Sequence, residues 1–138
     1  MFNRIMMPID LRHLEKVGKA LDIVEKLANT YDSTVIFVGV SASAPSDIAR
    51  NPKEFSAKLA QFAEEQSQKH AIPTESFPII SPDPTADLDD KLLDAIAALN
   101  TDLVVMATHV PGARDYLFGN NGNYISDHAK VSVFLVRG

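Results

Sequence analysis

Thr108-His109-Val110-Pro111-Gly112-Ala113-Arg114-Asp115-Tyr116-Leu117-Phe118-Gly119-Asn120-Asn121-Gly122 is the stretch of this sequence best supplied with groups that hold an anion. Gly119 lets the backbone approach a ligand closely, and the N–H groups of Asn120, Asn121 and Gly122 at a helix start would form an anion-binding corner. The side-chain amides of Asn120 and Asn121 are further donors. The same residues suit a plain turn in which Asn120 caps the helix, and the motif alone leaves both readings open. Neither the Gly-Lys-Ser/Thr phosphate loop nor the Gly-x-Gly-x-x-Gly dinucleotide fingerprint occurs in the chain.

Asp10 is the second candidate. It follows Pro8-Ile9 at the end of a short apolar run, where its carboxylate can accept from a ribose hydroxyl or an adenine amine, or cap the helix that follows. The four histidines His13, His70, His109 and His128 show no metal-ligand spacing. His109, at a strand end, suits donation to a phosphate or to a neighbouring loop, whereas His70 reads as a helix-end surface residue. No Gly-x-Ser-x-Gly elbow surrounds Ser126 or any other serine, so nucleophilic catalysis has no support. The acids from Asp83 to Asp94 fit no calcium-loop spacing and read as a solvated helix face. With no cysteine, thiolate catalysis, Cys-ligated metal and disulfides are excluded.

These groups need elements to position them. Arg4 to Met7 reads as a strand stopped by Pro8, and Val17, Leu21, Val24, Ala28 and Tyr31 mark one face of a single helix from Leu14. Thr34 to Val40 is a strand covered on both faces, and Ser41 to Pro52 is a long aperiodic loop. Phe55, Leu59 and Phe62 open a helix to about His70, ended by Pro73. Thr74 to Ile80 is a strand that Pro78 confines to a sheet edge. Leu88, Leu92, Ile96 and Leu99 mark a third helix, Leu103 to Ala107 a fourth strand, Asn121 to Ala129 a short helix and Val131 to Arg137 the last strand. Strands joined through helices predict an α/β, doubly wound, open five-stranded parallel sheet with helices on both faces. Ligands of such sheets bind beyond the carboxyl ends of the strands, where the strand order reverses.

The 138 residues predict one domain spanning 1–138. Hydrophobic residues at 46% and charged residues at 22% argue for a folded chain, and a net charge of -5 argues against nucleic acid or an acidic membrane surface as partner. No apolar run is long enough to span a bilayer, and the early Pro8 argues against a leader segment, so a cytoplasmic location is expected. The last strand, Val131 to Val136, is apolar on both faces; left as a bare edge it would aggregate, and pairing with a second copy is expected instead.

Ile5-Met6-Met7-Pro8-Ile9-Asp10, Val35-Ile36-Phe37-Val38-Gly39-Val40, Asp102-Leu103-Val104-Val105-Met106-Ala107-Thr108-His109, Gly119-Asn120 and Ser132-Val133-Phe134-Leu135-Val136-Arg137, in this order, resemble the universal stress protein family over nearly the whole chain. The resemblance implies strand order 3-2-1-4-5 and a homodimer through the last strand; a dimer and a tetramer of two such dimers both stay open, and a stress-response role with an unidentified protein partner is expected. For one branch of the family it also implies bound ATP; for this chain ATP is expected, with ADP or AMP as alternatives and with or without Mg2+, and at most slow hydrolysis. Carried over by position, Pro8, Ile9 and Asp10 line the adenosine end and Val40 contacts the adenine. Met106, Thr108 and His109 flank the ribose and phosphates, and Gly119, Asn120 and Asn121 hold the phosphates; Arg114 is added as a loop cation. The ATP-binding branch carries two spaced glycines followed by Gly-Ser or Gly-Thr. Here Ala107, Val110 and Gly119-Asn120 stand in those positions, one residue short, so only the last glycine is kept. That departure sets a nucleotide-free interaction module beside the nucleotide-binding reading.

Overall fold

A computed structural model describes residues 1–45, 48–108 and 122–137. The apolar runs became the interior strands: Ile5, Met6 and Met7 of β1 (Arg4–Pro8) have no exposed surface, and neither do Val35 to Val38 of β2 (Thr34–Ala42). The remaining strands are β3 (Thr74–Ser81), β4 (Leu103–Thr108) and β5 (Ser132–Arg137). All pairings are parallel, in the order β3-β2-β1-β4-β5, as expected. β3 is an edge strand, so Pro78, which faces Gly39 in register, needs to offer no N–H to a further neighbour.

Between them lie α1 (Gly18–Tyr31), α2 (Pro52–His70), α3 (Pro84–Ala98) and α4 (Gly122–His128). Right-handed crossovers put α1 and α2 on one face and α3 and α4 on the other, and α3 touches α4. α1 buries Ala20, Val24 and Ala28, small residues at four-residue spacing that let the helix lie close to the sheet. α2 packs through Phe55, Leu59, Phe62 and Ala63, and the Phe62 ring meets Phe37 edge-on at 5.1 Å. Gly39 permits this approach, because a Cβ there would stand 2.9 Å from Phe55 Cζ.

Several boundaries differ from expectation. The single helix from Leu14 is two helices: a 3-10 helix at Leu11–Lys16, then α1 after a break at Val17 (φ -108, ψ 2). The Asp10 side chain accepts from the Arg12 N–H and tightens the first turn, while Gly18, a poor helix former, sits at the junction. The loop predicted from Ser41 to Pro52 is shorter, because β2 stays paired with β3 to Ala42 and α2 starts at Pro52, capped by Asn51 accepting from Glu54 N. α2 ends at His70 as expected, but what stops it is Ala71 in the left-handed conformation, two residues before Pro73. His70 is no free surface residue: its Nδ1 lies 2.9 Å from Glu25 Oε2 and ties α2 to α1. In the last strand Ser132 and Phe134 are exposed and Val136 is buried.

The amino ends of the strands are clamped by charge. Asp102 accepts from Asn3 N at 2.8 Å and Arg4 N at 3.1 Å, and the Arg4 guanidinium reaches Leu99 O and forks onto Glu75 of β3. An Asp102→Ala variant is expected to lose about 1–2 kcal/mol of stability, read from denaturant midpoints, because two backbone donors lose a charged acceptor.

Candidate functional site

The sheet opens where its strand order reverses. β1 pairs with β4 only at Ile5↔Leu103 and Met6↔Val104, although β4 continues beside β5 as far as Thr108↔Arg137. β1 instead follows β2, with Pro8 opposite Val38 and Ile9 N donating to Val38 O at 2.8 Å. Pro8 has no N–H to give, so nothing draws the end of β1 back toward β4. The two strands thus part after Met6 and Val104, at the switch point where open α/β sheets form the crevice that receives ligands.

Of the residues singled out, Pro8, Ile9, Asp10, Met106 and Thr108 stand at the ends of the two strands that border this crevice, and Val40 lies near the end of β2. Ile9 and Met106 are 1% exposed, so their side chains belong to the core and only their backbones can face a ligand. Val40 is likewise buried, and Thr108 is half-buried. His109, Arg114, Gly119, Asn120 and Asn121 lie outside the described residues, as does Val110.

Asp10 is the only buried ionisable side chain among the described residues, at 4% exposure. It caps the 3-10 helix, and it also meets a group that the sequence pattern did not flag: Arg12. Arg12 Nε donates to Oδ1 and Nη2 to Oδ2, each at 3.0 Å, and the Arg12 backbone N–H also reaches Oδ1 at 3.0 Å. These hydrogen bonds raise the Arg12 pKa against the opposing effect of burial. The two uses weighed for Asp10, cap and ligand acceptor, thus draw on one carboxylate already held by a charged fork. The i, i+2 spacing of Asp10 and Arg12 was the available signal. It is weak, because a pair so spaced can meet only when the turn is as tight as this one.

No group of His, Asp and Glu among the described residues is arranged to hold a metal ion, and no helix among them is long and apolar enough to cross a membrane. A groove of about 210 Å³ lies between the 3-10 helix and α2, lined by Leu11, Leu14, Ile48 and Phe62 and by the polar Lys58, Gln61 and Glu65.

A family model for the universal stress protein family matches residues 1–137. Three solved structures illustrate the shared fold. A protein of that family from Burkholderia pseudomallei is 15% identical, with 98% of this chain and 96% of the other covered and a TM-score of 0.68. A family member from Arabidopsis thaliana with AMP bound is 17% identical, covering 98% and 90%, with a TM-score of 0.64. A universal stress protein from Archaeoglobus fulgidus in complex with dAMP is 12% identical, covering 97% of each chain, with a TM-score of 0.68.

Proposed function

The chain belongs to the universal stress protein family, and we propose that it is a homodimeric, cytoplasmic stress-response module that binds ATP or another adenine nucleotide at the β1/β4 crevice. The observation that carries this reading is the parting of β1 from β4 after Met6, with a buried carboxylate at its mouth. Relatives of the same fold with AMP and dAMP bound support the choice of ligand class. The resemblance assigns the phosphates to Gly119, Asn120 and Asn121 and the adenosine to Pro8, Ile9, Asp10 and Val40, with Met106, Thr108, His109 and Arg114 between. Nucleotide occupancy then changes the surface offered to a protein partner, with hydrolysis at most slow. AMP at a hundred times its dissociation constant is expected to stabilise the protein by about 2.7 kcal/mol. A melting temperature unmoved by AMP, ADP and ATP would count against the reading.

A second reading, a nucleotide-free interaction module, is favoured by the Arg12 fork that already holds Asp10. It keeps the dimer and removes the ligand.

The proposed dimer uses β5, and what supports this is that β5 ends the sheet and carries Phe134 at 42% exposure, high for a residue of that size. Phe134→Lys is expected to shift sedimentation from dimer to monomer at micromolar protein while leaving the circular dichroism spectrum unchanged. An unaltered dimer would move the interface elsewhere.

A further inference from the structure

We infer that Arg12 competes with the nucleotide for Asp10, acting as a latch over the buried carboxylate at the mouth of the crevice. The inference deepens the nucleotide-binding reading and rests on it. Asp10 is the candidate acceptor for a ribose hydroxyl or the adenine amine, yet both of its oxygens receive hydrogen bonds from the guanidinium. The Asp10 side chain is 3% exposed and that of Arg12 51%, so the guanidinium is the outer member of the pair, and a ligand arriving from solvent meets it first. Arg12 offers only donors, whereas ribose hydroxyls and the adenine amine need an acceptor at this corner. Such a ligand reaches the carboxylate only by displacing the side chain.

That displacement is feasible because Arg12 is anchored asymmetrically. Its backbone N–H is fixed by the Asp10 cap at the start of the 3-10 helix, while its half-exposed side chain is held by Asp10 alone among the described residues and can swing into water. Affinity is therefore the ligand's gain at Asp10 less the loss of a bidentate charge-assisted contact.

The test is titration of AMP into the parent protein, Arg12→Ala and Arg12→Gln, each first shown to be folded by its melting transition. Arg12→Ala is expected to bind AMP about tenfold or more tightly than the parent, the worth of one charge-assisted hydrogen bond, with Arg12→Gln in between. In the parent, saturation with AMP is expected to expose the Arg12 Nε–H to solvent exchange by NMR, a readout that a purely structural pair would not move. Equal or weaker binding by folded Arg12→Ala, with the parent binding AMP, overturns the latch and leaves the nucleotide site standing. No binding by any of the three overturns both. Should Arg12→Ala not fold, Arg12→Gln and the parent Nε–H signal decide in the same directions.

Discussion

Replacing Phe37 with alanine is expected to remove about 3–5 kcal/mol of folding free energy, the range for deleting a fully buried aromatic ring. Phe37 has no exposed surface, lies in β2 opposite Met7 of β1, and takes the edge of the Phe62 ring at 5.1 Å. Its loss removes transfer free energy and leaves a cavity between sheet and α2 that Leu59 and Phe62 fill only partly, because both are already packed. For a domain of this size the loss is a large fraction of total stability. Chemical denaturation followed by circular dichroism checks it: the midpoint is expected to fall sharply with the slope unchanged, and a loss below about 1 kcal/mol would mean that the β2/α2 contact is not the centre of the core.

Arg12→Ala carries the second large effect, and on stability it runs opposite to its effect on binding. Removing the guanidinium takes two charge-assisted hydrogen bonds from the buried Asp10 carboxylate, and about 2–3 kcal/mol of stability is expected to go. The cost stays below that of breaking a fully buried pair, since Arg12 is half-exposed and water can enter where it stood. The variant should thus melt earlier and bind AMP better, the trade expected where a site is held closed by an interaction its ligand must replace. Thermal melts with and without AMP measure both sides, and a variant as stable as the parent would show the pair to be a surface contact of little consequence.

The sheet was legible because its evidence is long and redundant. Val35 to Val40 and Leu103 to Ala107 are apolar without interruption, as only strands covered on both faces can be, and Pro78 by itself marked β3 as an edge. The order of the strands came from family resemblance, since periodicity says which segments are strands and not which are neighbours. The break at Val17 was hidden, because the apolar stripe from Leu14 to Tyr31 runs on through the change from the 3-10 helix to α1. The His70 and Glu25 pairing was hidden for another reason: it joins residues far apart in sequence that meet only once two helices share a face.

At the site, position could be read and chemistry only in part. Pro8 and Asp10 were recognisable as a strand end, and the parting of β1 from β4 follows from the missing Pro8 N–H. What Asp10 does there depends on Arg12, a residue that in sequence looks like any surface arginine and matters because the tight first turn brings its side chain back onto the carboxylate. The positions from His109 to Asn121, on which the phosphate end of the reading depends, lie outside the described residues, so that end rests on the sequence alone.

The most direct test of nucleotide binding at the crevice is calorimetric titration of ATP with magnesium, and of AMP, into nucleotide-stripped protein, with Gly119→Val beside it. The side chain added at Gly119 would project into the corner assigned to the phosphates. Saturable binding of about micromolar strength, near -8 kcal/mol, that is lost in a folded Gly119→Val is the predicted result. Folded parent protein giving no saturable heat with ATP or AMP, and none with ADP, would contradict it and leave a dimeric interaction module in its place.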